Sequence, residues 1–161
     1  MADVVINRAL GKIHQYAENV DSNSPAASVL RMFALVVTGG VGAEDNAIRD
    51  LSTMTMTGLF ALTNVAEATN SGYANQQMSD VDVTITIDDA NNRVDIVGGD
   101  QTFTSVVAGD VWTDLVIAYD AAGTDSDAAT IPLSKHDFAV TPNGGDITAD
   151  EPVAGFARCA G

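Results

Sequence analysis

The chain has 161 residues and carries 22 acidic against 7 basic side chains, for a formal net charge of −15. This length suits one domain with a sizeable core, and a hydrophobic content of 46% is typical of globular rather than disordered chains. The charge argues against nucleic acid and anionic membranes as partners, because both are bound through basic surfaces. The single cysteine, Cys159, excludes an internal disulfide and a cysteine-based zinc site.

No targeting or membrane segment is expected. Residues 1–9 lack the basic region and apolar core of a secretory signal. The longest apolar stretch, residues 29–37, is far shorter than the roughly 20 residues of a membrane span. These observations predict a soluble protein that is made in a cytoplasm.

Residues 3–20 predict an amphipathic N-terminal helix that begins at Asp3 and ends in the turn at residues 21–25. Its apolar residues recur every three or four positions and so share one face: Leu10, Ile13, Ala17 and Val20. This face packs either on the domain's own core or on a neighbouring subunit.

Residues 28–71 form a segment of mixed character. A run of β-branched and other apolar residues followed by two glycines predicts a buried strand over residues 28–38. Residues 44–51 predict a helical turn led by acidic residues, and residues 54–62 favour a short helix over a strand.

From residue 72 to 148 the pattern indicates a β-rich body. Strict alternation predicts that Thr84 and Thr86 face solvent while four apolar neighbours face the core: Val81, Val83, Ile85 and Ile87. A polar turn at residues 88–92 then leads into a partner strand over residues 93–97, which together predict a hairpin.

Further short strands are predicted between turn signals, over residues 102–107, 112–119, 130–133 and 138–141. Residues 120–128 predict a polar loop, and residues 142–145 predict a tight turn. Residues 149–161 predict a mobile C-terminal tail, in which Cys159 is an unpaired thiol. The fold class is therefore mainly β with minor α (α+β). We expect an antiparallel β-sandwich or barrel-like body with the N-terminal helix, all in one domain over residues 1–161.

The residues required for catalysis do not occur together in the sequence. The two histidines, His14 and His136, have no nucleophile motif near them, and Asp137 points away from His136 if both lie in a strand. We therefore predict that the protein is not an enzyme and has no catalytic, cofactor-binding or metal-binding residues. Two Asp-rich loops, residues 88–92 and 120–127, are the candidates for calcium, but they lack EF-hand spacing and the turn preference of Asp and Asn explains them.

Four segments resemble a known family of small proteins encoded among the structural genes of tailed bacteriophages: residues 131–148, 7–12, 20–25 and 155–158. The resemblance runs along the whole chain, and residues 131–148, with the sequence IPLSKHDFAVTPNGGDIT, are its most specific part. It implies a structural virion protein, a capsid decoration or cement protein that binds the outside of the phage head shell and stabilises it. The implied partners are the major capsid protein and further copies of the chain in a homotrimer, and the implied location is the capsid surface after synthesis in the host cytoplasm.

Two other functions remain open at this stage. Within the virion the alternative is a tail component, either a tube, terminator or adaptor subunit. From another class, the alternative is a calcium-dependent carbohydrate-binding module that uses the two Asp-rich loops.

The basic residues are concentrated in the N-terminal third, which holds Arg8, Lys12, Arg31 and Arg49, whereas Arg93, Lys135 and Arg158 are scattered. On so acidic a chain, this third is best able to approach an acidic neighbour. The prediction is that it makes the principal shell contact; the alternative is that these charges are ordinary solvated groups.

Overall fold

The structure, a computed structural model, describes residues 3–152 and 155–160. Its strands are β1 (Val4–Val5), β2 (Val29–Val37), β3 (Val65–Glu67), β4 (Gln76–Met78), β5 (Thr84–Asp88), β6 (Arg93–Val97), β7 (Gln101–Phe103), β8 (Trp112–Asp120), β9 (Ile131–Val140), β10 (Ile147–Ala149) and β11 (Ala157–Ala160). Its helices are α1 (Ile13–Asp21), α2 (Asp45–Arg49) and α3 (Met56–Phe60). In the described ranges, no helix is both long enough and apolar enough to cross a membrane.

The main sheet has six strands in the order β1-β9-β8-β2-β3, and β4 also pairs with β2. Its central strands are antiparallel, with Phe33 opposite Val116 and Val116 opposite Lys135. Every residue of β8 is buried, and all but one of β2. Burial on both faces explains why the sequence of β2 is apolar except for Arg31, rather than alternating.

The predicted fold class is confirmed: the chain is mainly β with minor α, in several antiparallel sheets. The described strands form a sandwich-like body and do not close into a barrel. The β body is wider than residues 72–148, because β2, from the preceding mixed segment, is a central strand of the main sheet. Helices α2 and α3 lie within the predicted ranges 44–51 and 54–62.

The predicted helix over residues 3–20 is not confirmed. Val4 and Val5 pair with β9, residues 7–12 form turns, and the helix begins only at Ile13. Leu10 is 59% exposed, so it does not share the buried face of α1. Asp3 caps no helix and instead accepts a hydrogen bond from the backbone N–H of Asp137. Pairing of Val4 and Val5 along the sheet edge competes with helix formation, and Gly11 weakens any helix across the turn.

The predicted hairpin is confirmed, with Thr84 opposite Val97 in an antiparallel β5–β6 pair. Its face assignment is only partly right. Val83 is buried and Ile85 half-buried, but Val81 is 85% exposed and Ile87 69% exposed. Val81 precedes the strand in a turn, and burial falls along β5 towards the hairpin turn beside Ile87.

Three other boundaries differ from the prediction. The strand predicted over residues 102–107 is the shorter β7, which ends at Phe103 because the chain turns at Ser105, whose φ is +52°. The strand pieces at 130–133 and 138–141 belong to one strand, β9, because the polar residues between them are buried or half-buried in it. The C-terminal tail is also structured: β10 extends to Ala149, and β11 pairs with β6, with Cys159 opposite Val94. Cys159 is therefore a half-buried free thiol in a strand.

Candidate functional site

The middle of β9 is where the structure concentrates polar side chains inside the protein. Ser134 and His136 lie opposite Ile117 and Leu115 of β8, on one face of the main sheet. Lys135 and Asp137 alternate with them and therefore face the other side. Two separate polar clusters thus lie back to back across the same strand.

The first cluster surrounds Lys135, whose side chain is 0% exposed. Its Nζ donates to Oδ1 of Asp45 at 2.6 Å, of Asp114 at 2.7 Å and of Asp137 at 2.6 Å. The three carboxylates come from the first residue of α2, from β8 and from β9 itself. Thr113 adds a fourth group by donating from Oγ1 to Asp114 Oδ2 at 2.6 Å. We call these five residues the Lys135 cluster.

Burial and hydrogen bonding shift the pKa values of the Lys135 cluster in different directions. Burial raises the pKa of Asp114, against the hydrogen bonds from Lys135 and Thr113, which oppose the rise. Burial would lower the pKa of Lys135, but its hydrogen bonds to the carboxylates outweigh that cost and raise it. For Asp137 the hydrogen bond and charge of Lys135 outweigh burial, so its pKa is lowered. Lys135 is therefore held in its charged form, and Asp114 holds a proton more readily than Asp137 does.

The same three carboxylates have oxygens within 4.8 Å of one another, and they are the only such acidic group of three in the described ranges. Such spacing suits a metal ion, but Lys135 Nζ contacts one oxygen of each carboxylate. The ammonium group therefore occupies the position that a cation would take. The sequence did not reveal this cluster, because Asp45 and Asp114 are distant from Lys135 along the chain.

The second cluster contains His136. Ser134 Oγ lies 2.9 Å from His136 Nε2, and His136 Nδ1 lies 3.4 Å from Asp3 Oδ2. Sequence reasoning correctly placed Asp137 on the opposite face but missed Ser134 and Asp3 as partners. The order serine, histidine, aspartate is that of a nucleophilic triad. Ser134 is only 1% exposed, however, so its hydroxyl serves as a hydrogen-bond partner of His136 and not as an accessible nucleophile.

A cavity of about 240 Å³ lies beside His136. Its walls are mainly apolar and include Met32, Met78 and Ile117. Glu151 also lines it, but that carboxylate accepts hydrogen bonds from the backbone N–H groups of Gly98 and Phe156. Glu151 therefore ties the chain segments around the cavity together.

The two Asp-rich loops are closed by their own hydrogen bonds. Asp120 accepts from the backbone N–H groups of Ala122, Gly123 and Asp125, and also from Arg31. In the other loop, Asp88 accepts from Asn91. These carboxylates are occupied in shaping turns, as the preference of Asp for turns leads one to expect.

The basic side chains differ in whether they already form an ion pair within the chain. Five of the seven basic residues form ion pairs: Arg31, Arg49, Arg93, Lys135 and Arg158. Arg31 is buried, so it cannot belong to a contact surface as the sequence led us to expect.

Arg8 and Lys12 are exposed, and neither forms an ion pair with any residue that the structure describes. The exposed side chain of Leu10 lies between them along the chain. We call these three residues the N-terminal basic segment. It lies in the turns that precede α1.

Comparison with protein-family models, with curated proteins and with solved structures finds no match to this chain.

Proposed function

We propose that the chain is a structural virion protein, a capsid decoration protein that binds the outside of a phage head shell and stabilises it. The support is the resemblance of residues 131–148 and three shorter segments to phage structural proteins, together with the N-terminal basic segment. The chain carries a net charge of −15, so contact with an acidic shell surface needs a place where this charge is locally reversed.

The N-terminal basic segment is the observation that carries this proposal. Arg8 and Lys12 are the basic side chains left without an ion pair in the described part of the chain, and Leu10 adds apolar surface between them. Together these three side chains can make both charge and hydrophobic contacts with a small acidic site on the partner. Such a contact is modest on its own, but a symmetric assembly that makes several at once binds far more tightly through avidity.

The partners in the proposal are the major capsid protein and two further copies of the chain. In a trimer the same head-to-tail contact, between two different patches of the chain, occurs three times. Strand β5 pairs only with β6 among the described strands, and it carries the exposed Ile87. Exposed edge strands readily pair with another chain. We therefore propose β5 as the self-association edge.

The test is binding of the purified chain to undecorated head shells. The double variant Arg8→Gln/Lys12→Gln removes two positive charges from the basic segment. The control Thr124→Glu/Ala128→Glu adds two negative charges in an exposed loop, so the change in net charge is the same. We expect the first variant to lose occupancy at least about tenfold while the control stays close to wild type, because contact charges act locally within about 8 Å.

Three outcomes would count against the proposal. Equal binding by both variants would place the shell contact on the β body. Absence of the chain from a mass-spectrometric inventory of purified particles would contradict a virion role. A sixfold ring confined to the tail, seen by cryo-EM, would replace decoration by a tail function.

A further inference from the structure

Lys135 and Asp114 place an amine and a carboxyl group in contact inside a water-excluded core. Both side chains are 0% exposed, and Nζ lies 2.7 Å from Asp114 Oδ1. For ordinary hydrogen-bond angles this distance puts Nζ about 3.5 Å from the carboxyl carbon, which is the separation of reacting atoms before attack. The two residues lie on adjacent strands, where Val116 stands opposite Lys135 and Asp114 stands opposite Asp137. The sheet therefore holds them in place.

We propose that Lys135 and Asp114 condense into an intramolecular amide bond, an isopeptide cross-link between β8 and β9. Nζ attacks the carboxyl carbon Cγ, the Nζ–Cγ bond forms, and the bond from Cγ to Oδ1 breaks. Of the three ammonium protons, one stays on the amide nitrogen and two leave with Oδ1 as water. Nothing is oxidised or reduced, and no co-reactant is needed.

The neighbours of the pair supply what this step requires. Thr113 donates to Asp114 Oδ2 and so stabilises the negative charge that develops on this oxygen, which becomes the amide carbonyl. Asp137 Oδ1 lies 2.6 Å from Nζ and can accept its proton, while Asp137 Oδ2 is buried without a hydrogen-bond partner in the structure. That free oxygen can hold the proton before it passes to the leaving oxygen.

The charged state of Lys135 makes the reaction slow but does not prevent it. An ammonium group must lose a proton before it attacks, and hydrogen bonds to three carboxylates favour the ammonium form. Groups held in contact in this way reach effective concentrations of about 10⁵–10⁸ M, which offsets a small amine fraction. One turnover in the life of the protein is enough.

The cross-link would close the chain between residues 114 and 135, at the centre of the main sheet. It would brace β8 to β9 by a covalent bond in addition to their hydrogen bonds. This inference is independent of the proposed function, because it concerns chemistry within a single copy of the chain.

The experiment is the intact mass of the full-length chain after denaturation, with a peptide map. We expect a mass about 18 Da below that of the uncross-linked chain, for the loss of one water, and a branched peptide that contains both Lys135 and Asp114. A mass that equals the full sequence, even after long incubation of the folded protein at neutral pH, would overturn the proposal.

Three variants locate the bond. Lys135→Arg and Asp114→Ala are expected to retain the full mass, because each lacks a reacting group. Asp137→Asn keeps both reacting residues, Lys135 and Asp114, but is expected to form the bond much more slowly. A time course of the intact mass measures this rate. Asp50→Asn, on the surface, serves as the control and should lose water as the wild type does. Loss of water by Lys135→Arg would place the dehydration elsewhere and contradict the proposal, whether or not that variant folds.

Discussion

Arg31 Nε lies 3.0 Å from Asp120 Oδ2, and the two side chains are 7% and 0% exposed. The guanidinium also donates from Nη1 to Asn75 Oδ1 at 3.0 Å. This buried ion pair joins β2 to the end of β8, two neighbouring strands of the main sheet. Because of this pair, Arg31 is not available for the shell contact that the sequence predicted. For the same reason, Asp120 is not a free calcium ligand in the loop at residues 120–127.

This ion pair predicts that Asp120→Asn lowers the free energy of unfolding by a large amount that depends on pH. Burial by itself would raise the pKa of Asp120, but the N–H of Asp125, Arg31 and the N–H of Ala122 outweigh it, so the pKa is lowered. Its contribution to stability is therefore present above the unfolded value of about 3.9 and is lost as the pH falls through the folded pKa. At pH 7 the variant leaves Arg31 buried with its main partner neutralised, and we expect a loss of about 3–5 kcal/mol.

Urea denaturation at pH 7 and at several values below 4 measures this effect. The gap between the wild type and the variant should narrow at the lowest pH values. Asp50→Asn is the control, because Asp50 pairs with Arg49 at the surface, and its unfolding free energy should stay close to wild type. A wild-type-like stability of Asp120→Asn at pH 7 would show that Asn75 and Asp125 alone satisfy Arg31.

The burial of His136 predicts that stability also depends on pH in a second, higher range. Burial lowers the pKa of His136, although Asp3 opposes this. Below the unfolded value of about 6.5 the unfolded chain takes up a proton that the folded chain resists, so stability falls as the pH drops from about 6.5 to the folded pKa. His136→Gln keeps a polar side chain of similar reach and should lose this slope. Chemical denaturation at pH 5 and pH 7.5 measures it, and His14→Gln is the control; an unchanged slope in His136→Gln would contradict the assignment.

The corrected faces of the β5–β6 hairpin predict which substitutions affect the core. Ile96 is 0% exposed and lies opposite Ile85, so Ile96→Ala should cost about 2–5 kcal/mol in unfolding free energy. Ile85→Ala should cost less, because Ile85 is only half-buried. Ile87→Ala should change the unfolding free energy by less than about 0.5 kcal/mol, as is usual for exposed positions. Thermal or urea unfolding of the three variants decides this, and equal losses for Ile87 and Ile96 would contradict the faces.

Position 155 is predicted to accept only glycine. Its φ is +77°, and a Cβ at this position would collide with the backbone carbonyl oxygen of Ile96. Because backbone atoms cannot rotate away, Gly155→Ala should displace the chain that leads into β11 from its place beside β6. Gly11→Ala is the matched control, since a Cβ there meets nothing within 4 Å. Increased reactivity of Cys159 in Gly155→Ala measures the displacement, and wild-type reactivity would contradict it.

Much of the fold could be predicted because it follows from local patterns. The apolar run at residues 28–38 and the alternation of residues 81–87 led to strands β2 and β5, and the polar turn at 88–92 led to the hairpin. The failure to join the two halves of β9 has a cause in the tertiary structure. The polar run from Ser134 to Asp137 looks like a break because polar residues usually lie outside. In the structure Lys135 instead bonds to the distant Asp45 and Asp114, and His136 lies beside Asp3.

The sequence by itself determined the class of the fold, the acidic charge and the positions of most turns, since these depend on neighbouring residues and on composition. Only the tertiary structure decided which charges are available and which are consumed. Arg31 and Lys135 look alike in the sequence to Arg8 and Lys12, but the first two are buried among carboxylates and the last two are free of ion pairs in the described structure. The reason is physical: a buried charge requires partners in three dimensions, and those of Lys135 lie 90, 21 and 2 residues away.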